Sequence, residues 1–143
     1  GLSKAYISGR YELIDYNGIP IVLDGAHTPN SIRNTVETTK KIFPDWNITL
    51  LFGCASDKDI KDIIPLFDGF VSEVFITKPN FSRAIELEKL QAMFNQLDIA
   101  CKFFENSIDA INTILNKTKT DKNLILVTGS FYLVSDVVSQ LSV

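Results

Sequence analysis

The sequence predicts an α/β domain: an open, mostly parallel sheet of about six strands, with an antiparallel hairpin at its N-terminal edge and helices on both faces. Three observations predict it. Short apolar runs alternate with amphipathic segments along all 143 residues. The composition, 45% apolar and 22% charged, is that of a packed globular chain rather than a disordered one. Near the start, Asn17-Gly18 separates two strand-like runs, and that dipeptide accepts the positive φ angles of a tight hairpin turn.

The hairpin comprises Arg10 to Tyr16 and Ile19 to Asp24. Pro20 cannot donate a ladder hydrogen bond, so it belongs at a strand start or an edge. From Asn30 to Phe43, Ile32, Val36 and Phe43 share one helical face. Asn47 to Gly53 is a short apolar run bounded by turn residues, hence a buried strand. A short helix follows at Asp59 to Phe67, then a strand at Val71 to Thr77. Ile85 to Leu97 carries Leu87, Leu90, Phe94 and Leu97 at helix spacing, and Ile99 to Phe104 reads as a strand. Ser107 to Leu115 places Ile108, Ile111 and Leu115 on one face, with Asn106 or Ser107 as its cap. Leu124 to Thr128 is the last strand, and Val134, Val137, Val138 and Leu141 mark a final helix. Right-handed crossovers then distribute the helices over both faces of one sheet.

The length fits one domain, large enough to bury roughly 68–70% of its unfolded surface. Net charge is −3 with the two signs interleaved, which argues against a nucleic-acid partner, since that needs clustered Lys and Arg. No apolar run reaches the ~18 residues of a membrane span. Gly1-Leu2-Ser3-Lys4 has neither an initiator Met nor a signal-peptide pattern. The expectation is a cytoplasmic protein of which this chain is a part. Cys54 and Cys101 lack metal-ligand spacing and read as reduced, buried thiols.

Ligands of open α/β sheets bind beyond the carboxyl ends of the strands, and there the sequence turns polar. Asp24-Gly25-Ala26-His27-Thr28-Pro29 follows the second strand, Gly53 to Asp59 the third, Thr77-Lys78-Pro79-Asn80 the fourth and Thr128-Gly129-Ser130-Phe131-Tyr132 the last. His27 is the sole histidine. A lone histidine is more often structural than functional, but Asp24 sits three residues earlier in a glycine-containing turn at a helix start, where negative charge is favoured. Gly25 lets that turn bend sharply, and Pro29 suits a first helical turn. Asp24 would suit ribose hydroxyls or a metal ion, and His27 a carboxylate or phosphate. Asp57-Lys58-Asp59 offers a cation at another helix start, or a solvated loop. Thr128-Gly129-Ser130 could cradle an anion or simply cap a helix. Arg10 is unremarkable on these grounds. No P-loop, G-x-G-x-x-G or G-x-S-x-G pattern occurs, and one histidine with separated cysteines makes a zinc site improbable.

Five motifs in order, S-G-R-Y-E (Ser8 to Glu12), L-D-G-A-H-T-P (Leu23 to Pro29), L-F-G-x-x-x-D-K-D (Leu51 to Asp59), T-K-P-x-x-x-R-A (Thr77 to Ala84) and L-V-T-G-S-F-Y-L-V (Leu126 to Val134), resemble the C-terminal domain of folylpolyglutamate and dihydrofolate synthases, members of the Mur ligase superfamily. Ser8 stands where that family commonly has Pro, and Thr28 where it has Asn. The resemblance implies a Rossmann-like domain, residues 1–143, that closes over ATP held by an N-terminal P-loop ATPase domain absent from this chain. It implies an ATP-dependent ligase joining L-glutamate to folate or dihydropteroate through an acyl phosphate. The isolated domain would be inactive, the enzyme a monomer, and most Mg²⁺ ligands would lie in the other domain. By motif, Arg10 and Asp24 would contact ATP, and His27 and Lys58 would place glutamate or the transferring phosphate. Ser130 and Tyr132 would line the glutamate pocket. Two rival readings remain: a muramyl-peptide ligase domain, and a non-catalytic nucleotide-binding module of flavodoxin-like type.

Overall fold

A computed structural model describes residues 11–54, 59–78 and 86–141. Six strands form one sheet in the order β1-β2-β6-β3-β4-β5. The hairpin pairs β1 (Glu12–Tyr16) antiparallel with β2 (Ile19–Asp24). Asn17 and Gly18 take φ of 53° and 87°, the mirror-image turn that the dipeptide predicts. All other pairings are parallel.

Helix α1 (Pro29–Ile42) leads from β2 to β3 (Asn47–Phe52). The short α2 (Ile60–Ile63) leads towards β4 (Glu73–Thr77), and α3 (Leu87–Asn95) precedes β5 (Ala100–Phe104). From β2 through β5 the chain steps in one direction across the sheet, and these three helices pack on one face, with Ile32, Val36, Ile60, Phe67, Leu90 and Phe94 against Val22, Leu50, Phe52 and Val74. The chain then reverses to insert β6 (Asn123–Thr128) between β2 and β3. A right-handed crossover that runs backwards must use the opposite face. There α4 (Ser107–Lys117) and α5 (Phe131–Leu141) bury Ile111, Ile114, Val134 and Val137 against Ile21, Leu51, Phe75 and Ile125. Strand residues thus alternate strictly between the two cores.

The helix expected over Asp59 to Phe67 breaks in two. Four α-helical residues give way to a 3₁₀ turn at Ile64–Phe67, because Pro65 has no N–H to continue the α-helical ladder. Strand β4 starts at Glu73 rather than Val71. Before it the N–H of Val71 still bonds Phe67 O, and Gly69 has φ +71°, so the chain is turning there. Phe52 meets Phe67 and Phe94 edge-on at 5.6 and 5.8 Å, a favoured aromatic geometry that ties β3 to α3 beneath the carboxyl edge of the sheet.

Candidate functional site

The reversal of chain direction creates the site. Helices α1 and α5 follow adjacent strands, β2 and β6, yet leave on opposite faces. A crevice opens at such a switch point. The strand ends are in register: Asp24 pairs with Thr128, and Thr128 with Phe52. The loops beyond are bonded together, Gly129 N–H donating to Ala26 O (3.0 Å) and Gly53 N–H to Thr128 O (3.4 Å). Gly129 has no substitute here. Its φ is +111°, and a Cβ would lie 2.7 Å from both Gly53 O and the Phe52 ring. Only glycine accepts that conformation and approach.

The crevice holds a cleft of ≈ 430 Å³ lined by Tyr11, Asp24, His27, Ser31, Thr35 and Phe131, among others. That is within the size range of small-molecule sites. Asp24, at the very end of β2, is half-buried. Its Oδ1 accepts from Ala26 N–H (3.1 Å) and its Oδ2 from the Thr35 hydroxyl (2.8 Å). Burial raises its pKa above the ordinary carboxylate value, and these two hydrogen bonds pull it back down. Tyr11 bonds Thr39 Oγ1 at 3.0 Å. Burial raises its phenol pKa, the Thr39 bond opposes that, and the charge of Asp24 adds to the rise.

His27 is exposed, with Nδ1 3.1 Å from Gly25 O. A carbonyl only accepts, so Nδ1 carries the hydrogen and Nε2 is the nitrogen left for a ligand. The following residues build a rigid helix start. Thr28 Oγ1 accepts from Ser31 N–H (3.1 Å), and Ser31 Oγ accepts from the backbone N–H of Thr28 (3.0 Å) and of His27 (3.2 Å). This reciprocal cap, with Pro29 opening α1, explains how Thr28 serves at a position where the resemblance leads one to expect Asn.

Asp24 and His27 are therefore brought together at one mouth. The terminal segment joins them through Phe131, which lines the cleft and is 47% exposed. Ser130 is only 2% exposed, and its Oγ accepts from Tyr132 N–H (3.0 Å), the capping alternative for this segment. Tyr132 is 47% exposed at the start of α5. Arg10 and Lys58 lie outside the described residues. Asp59, which follows Lys58, takes φ +63° just before α2.

Sequence reasoning did not single out Tyr11, Ser31, Thr35 or Phe131. The available signal was the spacing of Thr28, Ser31, Thr35 and Thr39, hydroxyls that recur at helical intervals where an inward face should be apolar. Thr77 and Thr128, which end β4 and β6, are buried, and their hydroxyls have no hydrogen-bond partner among the described residues. Both end strands at the edge where the polar loops begin. No group of three metal-ligating side chains occurs among the described residues, and the cleft's one carboxylate already accepts on both oxygens. Among the described residues, the cleft by itself therefore offers no three-ligand metal site.

The family model for the Mur ligase glutamate ligase domain matches residues 9–131. The chain belongs to that family. The glutamate ligase domain described above is 28% identical over 137 residues to the dihydrofolate synthase/folylpolyglutamate synthase of Bacillus subtilis, covering 96% of this chain and 31% of that protein. Similarity to the UDP-N-acetylmuramoyl-L-alanyl-D-glutamate–2,6-diaminopimelate ligase of Clostridioides difficile reaches 39% but over 54 residues, 37% of this chain. The crystal structure of folylpolyglutamate synthase from Thermotoga maritima superposes with a TM-score of 0.82 at 28% identity, over 94% of this chain and 30% of that one. E. coli FolC in complex with DHPP and ADP shares the fold, with a TM-score of 0.82 at 20% identity. The resemblance to folylpolyglutamate synthases and the Rossmann-like sheet with its N-terminal hairpin are borne out. The chain spans about a third of the length of the curated relatives it matches (31%). No helix among the described residues is long and apolar enough to cross a membrane.

Proposed function

We propose that this chain is the C-terminal domain of an ATP-dependent ligase that adds L-glutamate to folate or dihydropteroate, working with an N-terminal P-loop ATPase domain of the same protein. The observation that carries the reading is similarity to folylpolyglutamate synthases along 96% of the chain, with the Asp24–His27 turn at the switch-point cleft. In the reaction, a carboxylate oxygen of the pterin substrate attacks the γ-phosphorus of ATP, and ADP leaves. The amine of glutamate then attacks the acyl carbon of the acyl phosphate, the C–O bond to phosphate breaks, and an amide and phosphate remain.

Such phosphoryl and acyl transfers depend on positioning and on cations that face developing negative charge. Asp24 accepts hydrogen bonds from the ribose hydroxyls of ATP, and Arg10 lies against its phosphates. His27, with Nδ1 held by Gly25 O, presents Nε2 to a glutamate carboxylate or to the transferring phosphate. Lys58 supplies the second cation there. Tyr132 borders the glutamate pocket, and Ser130 supports it by capping α5. Mg²⁺ would accompany the nucleotide, held chiefly by the other domain, and would supply positive charge against the phosphates. The domain closes over the nucleotide and shields the acyl phosphate from water. The protein acts as a cytoplasmic monomer without nucleic-acid or membrane partners.

The test is glutamate ligation by the longer protein, with dihydropteroate and tetrahydrofolate as rival acceptors, beside the 143-residue chain alone. The longer protein is expected to turn over at least one acceptor and the chain alone neither. Incorporation of glutamate by the chain alone would overturn the division of labour. Ligation of a muramyl precursor but of neither pterin would move the assignment to the muramyl branch, and no ligation at all would leave a nucleotide-binding module.

A further inference from the structure

The inward face of α1 carries an anomaly. Ile32 and Val36 are buried there as expected, but Thr35 and Thr39, 3% and 0% exposed, share the interior with them. Threonine is a mediocre helix former, and a buried hydroxyl costs free energy unless it is bonded. Thr39 satisfies itself by donating to Thr35 O (2.8 Å), and it also pairs with Tyr11. Thr35 has two acceptors in reach, Ser31 O at 3.0 Å and Asp24 Oδ2 at 2.8 Å. It has one hydrogen to give. An ionised carboxylate is the stronger acceptor, and here it is also the nearer.

We propose that Thr35 is a positioning residue for Asp24, its buried hydroxyl holding the carboxylate in the orientation in which it lines the cleft. The inference rests on the assignment of Asp24 to ATP binding made above. Among the described residues, each Asp24 oxygen has one donor: the backbone of Ala26 on Oδ1 and Thr35 on Oδ2. Only the second is a side chain, so only it can be removed without rebuilding the turn. Without it, half of the carboxylate would remain half-buried and unpaired, and its charged form would be disfavoured. The same hydrogen bond is one of the two that oppose the effect of burial on Asp24. Among the described residues, the titratable groups that line the cleft with Asp24 are Tyr11, from the segment before β1, and His27, from the turn. Helix α1 contributes Ser31, Asn34, Thr35 and Thr38, and α5 contributes Phe131, none of which titrates. A purely structural Thr35 would instead be one of the common helix hydroxyls that bond back to the preceding turn, and Ser31 O would be its only significant partner.

The experiment compares Thr35→Val, which keeps the shape and loses the hydroxyl, with Thr35→Ser, which keeps the hydroxyl. In the 143-residue chain, the Asp24 carboxyl carbon is followed by NMR through an acid titration. Its midpoint is expected to move to higher pH in Thr35→Val and to return in Thr35→Ser. In the longer protein, KM for ATP should rise about tenfold in Thr35→Val with kcat little changed, the loss expected for a hydrogen bond to a charged group, and Thr35→Ser should restore it. An Asp24 titration identical in wild type and Thr35→Val overturns the proposal. If Thr35→Val does not fold, Thr35→Ala carries the same comparison. If the midpoint moves as expected but Asp24→Ala leaves ATP kinetics untouched, the positioning role stands and the ATP assignment of Asp24 falls.

Discussion

The starts of α1 and α4 solve the same problem in different ways. Both follow a parallel strand and both begin at the carboxyl edge of the sheet. Both have a side-chain N-cap, Thr28 bonding Ser31 N–H and Asn106 bonding Asp109 N–H (2.8 Å). At α4 the cap is joined by a second Asn106–Asp109 contact (3.1 Å) and by a long bond from the buried Ser107 hydroxyl to Asp136 (3.5 Å), and the helix behind it buries Ala110, Ile111 and Ile114 in an apolar core. At α1 the cap is followed by a helix that buries two threonines, and preceded by a half-buried carboxylate whose burial opposes its charge. The capped turn at α4 serves stability. The turn at α1 adds a charged group that folding does not need, and such groups concentrate at sites of chemistry.

The comparison can be broken at either turn. Removing the carboxylate should have the largest effect on function. Asp24→Ala in the longer protein is expected to cut kcat/KM for ATP by roughly 10²–10³-fold, the usual loss for a preorganised electrostatic contact, while Asn106→Ala leaves it unchanged. Steady-state ligation kinetics decide this, and equal effects of the two changes would erase the distinction. Next comes the glycine that lets β6 approach the turn. Gly129→Ala should destabilise the chain by about 1–3 kcal/mol through left-handed strain and the forced contact with Gly53 and Phe52, measured by urea unfolding. Asn106→Ala should cost about 1 kcal/mol, an ordinary cap loss.

The smallest effect is the most diagnostic. Because burial raises the pKa of Asp24, the folded chain binds more protons than the unfolded one between the ordinary carboxylate value and the raised one. The contribution of this group to stability therefore falls as pH rises through that window and is flat above it. Asp24→Asn removes this slope. The amide can donate to Thr35 Oγ1 while Thr35 turns its hydrogen to Ser31 O, so every group stays bonded. The variant is expected to match wild type in acid and to equal or exceed its stability at neutral pH, as unfolding midpoints across a pH series would record.

Much of this was legible in the sequence, for identifiable reasons. The strands announced themselves because those buried on both faces are unbroken apolar runs, as in Leu124 to Val127. The hairpin followed from two residues that tolerate positive φ. Helix ends were less legible: Pro65 splits a segment that periodicity alone joins, since side-chain spacing carries no record of backbone donors. Asp24 and His27 stood out because acid and imidazole share one short glycine turn. Thr35 did not, since its role depends on a strand residue eleven positions earlier, a contact fixed only when α1 packs across β2. Phe131 went unremarked beside Tyr132 because the direction of α5 decides which of two adjacent aromatics faces the cleft.

The division between a cap that stabilises and a carboxylate that serves a ligand is tested most directly by measuring ATP affinity and thermal midpoint on the same samples of the longer protein, wild type and Asp24→Asn. The expected result is weaker ATP binding, by tenfold or about 1.4 kcal/mol at least, with a midpoint that is unchanged or raised. Undiminished affinity, or affinity lost only in step with a falling midpoint, would contradict it.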